Sequence, residues 1–160
     1  MAIDEGIVAQ IEEAIVTMLT AATVDSKVVF KVVDHWGFQI DSLGDWKKNS
    51  PFAFVQYIGT PNTSVEGDHD LNQHMQFQIA IGVERMKGPK EVARVGAGET
   101  KHLLGISRLR DIVITALQEQ IPTGVSGVEY LEFISDRLDV SVPNRCALNM
   151  IFRIDYTKCY

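Results

Sequence analysis

The chain has 160 residues, of which 46% are hydrophobic and 22% charged, proportions that exclude a disordered or fibrous polypeptide and fit one domain, 1–160, with a sizeable core. Its formal net charge is −6, and its 15 Lys and Arg residues are scattered without a basic cluster, which argues against direct nucleic-acid readout. Two cysteines, Cys146 and Cys159, are too few for a disulfide framework, and no stretch reaches the roughly 18 apolar residues of a membrane span.

The chain opens with the acidic residues Asp4, Glu5, Glu12 and Glu13, unlike the basic start and apolar run of a secretory signal, so a soluble protein without a membrane partner is expected. From Asp4 to Ala22, Ile7, Val8, Ile11, Ala14, Ile15, Met18, Leu19 and Ala22 recur at three-and-four spacing, which predicts an amphipathic helix. Val28 to Val33 is β-branched and predicts a strand, and Asp41 to Lys48 suits a short helix or turn. Phe52 to Ile58 is apolar on both faces apart from Gln56, the pattern of a central strand. Gly59 to His74 reads as a loop longer than most compact domains tolerate, hence a candidate contact arm.

Met75 to Glu84 alternates strictly: Met75, Phe77, Ile79, Ile81 and Val83 fall on one face. Lys87 to Gly98 is a second turn-rich, flexible stretch. A helix is expected from Glu99 to Gln120, striped by Ile106, Leu109, Ile112, Val113, Ala116 and Leu117. Leu103 and Ile114 widen that stripe to about 200°, more than a helix lying on one sheet requires, which suits burial under a loop or a subunit contact. Val128 to Arg137 and Arg145 to Tyr156 complete the strands, and the second places Cys146, Leu148, Met150, Phe152, Ile154 and Tyr156 on one face. The predicted fold is α+β: a mainly antiparallel sheet of about five strands with two main helices on one face, its other face left for solvent or a partner.

Chemistry-bearing residues are sparse. Asp68, His69, Asp70 and His74 come closest to a metal set, but no second group of ligands is spaced to complete a rigid site, and a solvated polar loop accounts for them. His35 and His102 are lone histidines, and Glu12-Glu13 and the pair Asp34 and Asp41 suit solvated surface. Gly96-Ala97-Gly98-Glu99-Thr100 precedes a helix but lacks the Gly-Lys-Ser/Thr ending of a phosphate loop. Ser26, Ser42, Ser50 and Ser107 lie in no Gly-x-Ser-x-Gly elbow, and neither cysteine has a thiolate-stabilising setting. A non-enzyme without cofactor or metal is expected.

Several segments together resemble the tail terminator or tail-completion proteins of Mu-like contractile-tailed phages and prophages. They are Ile7-Val8-Ala9-Gln10-Ile11-Glu12-Glu13-Ala14-Ile15, Ser50-Pro51-Phe52-Ala53-Phe54-Val55-Gln56-Tyr57-Ile58-Gly59, Phe77 to Gly88, Gly96-Ala97-Gly98 with Leu103-Leu104, Leu109-Arg110-Asp111, Gln118-Glu119-Gln120, and Leu148 to Tyr156. The resemblance implies a virion structural protein, assembled in the bacterial host cytoplasm, that self-associates as a ring, typically a hexamer, and caps the tail tube and sheath. Its partners would be itself, the tube and sheath proteins, and the neck or connector proteins. A head-tail connector or neck adaptor of similar build is the nearest alternative, and a small-molecule-binding or enzymatic α+β domain the more distant one. The segment from Gly59 to His74 has no counterpart in the family pattern. The helix face near Leu104 and Ile114 and the two flexible stretches are the expected contact regions.

Overall fold

Ile7, Ile11, Ile15 and Leu19 recur every fourth position, which winds them onto one side of a helix, α1 (Ile3–Thr20). The computed structural model describes residues 3–36, 49–60, 70–84, 105–142 and 145–159. Within them α1 is followed by β1 (Thr23–Val24), β2 (Lys27–Val28), β3 (Val32–His35), β4 (Phe52–Gly59), β5 (Asp70–Glu84), α2 (Ile106–Leu117), β6 (Val128–Val142) and β7 (Arg145–Cys159). β1 and β2 form a tight hairpin whose turn residues, Asp25 and Ser26, have φ of 51° and 64°, the left-handed pair that suits a two-residue turn between twisted strands.

The remaining five strands make one sheet in the order β3-β4-β5-β7-β6. β3 runs parallel to β4, and all other neighbours are antiparallel. The register sets Phe77 opposite Phe152, Ile79 opposite Met150 and Ile81 opposite Leu148, so the two alternating segments turn their apolar sets to the same side. There they bury Ile11, Ile15 and Leu19 of α1 and Ile106, Leu109, Val113 and Leu117 of α2. Two helices on one face of a mainly antiparallel sheet is the α+β architecture expected, and β4 is internal, as its two apolar faces require.

Four expectations shift. The opposite face is not simply open: Phe52, Phe54, Ala80 and Ala147 are buried there, with Val32 and Trp36 packed against them. The alternation concealed this because Ala80, Gly82 and Ala147 look like gaps in an outward row, whereas their smallness makes room for rings from β4. A Cβ on Gly82 would land on the Phe52 ring, and the Phe52 and Phe54 centroids lie 5.1 Å apart. Val28 to Val33 is not one strand, since Val28 closes the hairpin, Val29 and Phe30 are core, and pairing with β4 starts at Val32. The loop expected to reach His74 gives way to β5 at Asp70, because residues 70–74 pair with β7. Ile112, Ile114 and Ala116 pack, half-buried, against the main core, which accounts for the breadth of the α2 stripe within the chain itself. The stretches 41–48, 61–69 and 87–104, including the Gly96 to Thr100 segment, His102, Leu103 and Leu104, lie outside the described residues.

Candidate functional site

The residues singled out for chemistry are dispersed by the fold. His74 stands on β5, with its Nδ1 2.6 Å from Asp155 Oδ1 on β7; Asp68 and His69 lie outside the described residues. Among the described residues no group of three His, Cys, Asp or Glu is arranged to hold a metal ion. Cys146 is buried on the helix side of β7, and Ser107 is exposed on α2. Ser50 is buried at the head of β4, where its Oγ donates to the Glu84 carbonyl at 3.2 Å and accepts from the Glu84 N–H at 3.1 Å. Arg145 Nη2 donates to Glu84 Oε2 at 3.1 Å, so this corner closes on itself as a structural knot.

His35, Glu12 and Glu13 do come together, which spacing in the sequence could not reveal because the two sides are 22 to 23 residues apart. β3 turns His35 toward α1, where Nδ1 lies 3.1 Å from Glu12 Oε2 and Nε2 lies 3.0 Å from Glu13 Oε2. Each carboxylate takes a different ring nitrogen, a geometry that clamps an imidazolium and leaves no shared vertex for a metal. The hydrogen bond to Glu12 first, and that to Glu13 next, hold the His35 pKa above its ordinary value of 6.5. On the far face of the sheet Arg153 Nη2 donates to Glu132 Oε2 at 2.7 Å, with Asp155 3.6 Å from its Nε, next to the Asp155–His74 pair. These side chains thus form a run of polar contacts across β6, β7 and β5.

Among the described residues, three exposed large apolar side chains belong to β6. This 15-residue strand has β7 on one side, and on the other its early part is capped by the segment leaving α2. Glu119 N–H donates to the Leu131 carbonyl and Leu131 N–H to the Gln120 carbonyl, both at 2.9 Å. Phe133 N–H donates to Gln118 Oε1 at 2.8 Å. From Ile134 onward no backbone partner other than β7 occurs among the described residues. The ladder with β7 is interrupted between Val128 and Leu131, Phe133 and Ser135, and Leu138 and Val140. The exposed Tyr130 (50%), Ile134 (42%) and Leu138 (47%) fall in or beside those interruptions, where a bulge re-aims side chains. Exposed Ile121, next to the Gln120 that bonds Leu131, extends the stripe. Bulges and charges usually protect an edge strand from pairing; here the strand also leaves Tyr130, Ile134 and Leu138 exposed along its length.

Grooves open among the described residues of the helix layer. One, of about 550 Å³, runs between α1 and residues 123–125 and is lined by Ala9, Gln10, Glu13, Ala14, Thr17 and Met18. The other, of about 310 Å³, lies between the segment 22–24 and α2 and is lined by Ala22, Thr23, Val24, Ile112, Thr115 and Ala116, with Arg108 and Asp111 at its rim. Compared with known proteins, the chain matches no protein-family model and no curated protein.

Proposed function

We propose that this protein is a virion structural subunit of a contractile-tailed phage or prophage, which ends tail polymerisation by self-associating as a ring, typically hexameric, over the end of the tail tube and sheath. The observation that carries the reading is the exposed apolar stripe Ile121, Tyr130, Ile134 and Leu138 on the β6 flank. Large apolar side chains left exposed along and beside an edge strand suit a protein contact better than solvent, and the sequence resemblance supplies the kind of assembly. Partners are other copies, the tube and sheath subunits, and the neck or connector proteins. Function on this reading is shape and association, without cofactor or turnover.

The test is the mass of the purified chain by sedimentation and native mass spectrometry across concentration, alone and with tail tubes, followed by electron microscopy of tube ends. A closed ring that decorates tube ends and stops their growth is expected. A chain that binds only head-proximal connector proteins would make it a neck adaptor instead. The larger groove along α1 favours a second reading, a small-molecule-binding domain; a strictly monomeric chain that copurifies with a ligand in that groove would establish it in place of the first.

A further inference from the structure

Two surfaces on opposite flanks of α2 are complementary in charge. On one flank Arg110 turns to β6, pairing with Asp136 and lying 5.2 Å from the Phe133 ring centroid. That flank carries the apolar stripe, and around it Glu119, Glu129 and Asp139 are exposed without an ion-pair partner among the described residues, against one such cation, Arg137. Glu132 and Asp136 are already neutralised by Arg153 and Arg110. The stripe therefore has an apolar centre and an acidic rim.

On the other flank the 310 Å³ groove has an apolar floor of Val24, Ile112 and Ala116, and Arg108 at its rim. Across the same hairpin, Lys27 pairs with Val24 and Val28 with Thr23, and both are exposed, Val28 at 65%. Arg108 and Lys27 have no ion-pair partner among the described residues, whereas Asp111 is 3.3 Å from Arg110 Nη1. The larger groove along α1 is the poorer seat for an acidic-rimmed stripe, because no Lys or Arg is among its lining residues.

We infer that the β6 stripe of one copy docks in the groove between the hairpin and α2 of the next copy, with Glu129 and Asp139 facing Arg108 and Lys27. The contact joins two different surfaces of the same chain, so it is head-to-tail, the class that generates rings when the rotation closes. Docking works through side chains: the α2 exit segment already occupies the backbone edge at Leu131 and Phe133, and bulges break the edge beyond. This inference rests on the ring reading and assigns its interface.

The experiment uses the full chain. Ile134→Asp should raise the concentration at half-assembly by roughly tenfold or more, since central apolar anchors carry most of an interface's free energy. Arg108→Glu should weaken assembly as well, and adding Glu129→Lys should restore much of the loss. In a Cys159→Ser background, chains carrying Tyr130→Cys and chains carrying Thr115→Cys should form a disulfide-linked dimer when mixed, and neither should do so alone. Rings that persist unchanged in Ile134→Asp and Arg108→Glu would overturn the interface and leave the ring reading standing. Cross-linking of Tyr130→Cys with itself would overturn it in favour of a two-fold contact. A wild-type chain that is monomeric even on tail tubes would overturn both.

Discussion

His35 shows how much of a fold can hang on one side chain with two partners. Its imidazolium bridges Glu12 and Glu13 and so ties the edge strand β3 to α1. Because the folded-state pKa lies above the ordinary 6.5, the stabilisation is fully present below about pH 6.5 and is lost as pH rises through the folded value. With 43% of the ring exposed, solvent screening keeps that contribution below about 1 kcal/mol. Urea unfolding of wild type and His35→Gln should therefore differ at acidic pH and converge at alkaline pH; a constant difference would mean that the ring acts by packing alone. Gly82 works at the same scale on the far face, where Phe52 fills the space of its missing Cβ. Gly82→Ala should cost about 1–3 kcal/mol by overpacking, measured as a fall in the denaturation midpoint.

At the scale of elements, α2 makes the clearest forecast. Ile114 packs against the main core, so Ile114→Asp should lower the unfolding free energy by about 1–3 kcal/mol; a variant of unchanged stability but impaired assembly would instead return this residue to the interface. β5, β7 and the core of α1 were legible in the sequence because each carries its own periodicity, and Phe77 or Phe152 needs no partner to announce a buried face. The small hairpin was not, since Asp25-Ser26 adopts left-handed φ values without the glycine that normally signals them. β6 was legible as a strand but not as a surface. Its bulges depend on β7, and only with them in place do Tyr130, Ile134 and Leu138 emerge on one flank. The His35 clamp likewise needed α1 and β3 to be brought together. The second apolar face was hidden because small residues on β5 and β7 acquire meaning only from the β4 rings above them.

For the whole molecule, the sheet order predicts a gradient of local stability. β4, β5 and β7 have neighbours on both sides, so their amides should exchange most slowly with solvent, along with those of Leu131 and Phe133, which are bonded to the α2 exit segment. Amides of β6 beyond Ile134 that point away from β7 should exchange sooner in the monomer, and peptides spanning Ile121 to Leu138 should gain protection on assembly; protection confined to other segments would place the contact elsewhere. The same order reaches into biosynthesis. β7 follows β6 along the chain yet lies between β5 and β6, so a nascent polypeptide that has not passed Arg145 has nothing to hold β6 in the sheet. β7 pairs with β6 as a hairpin closed at Val142 and Arg145 but with β5 across residues distant in sequence, so the sheet closes late. On the proposed ring reading, a growing chain that has not yet paired β6 with β7 would not display the flank proposed to meet a neighbour, so assembly would wait until the sheet is complete.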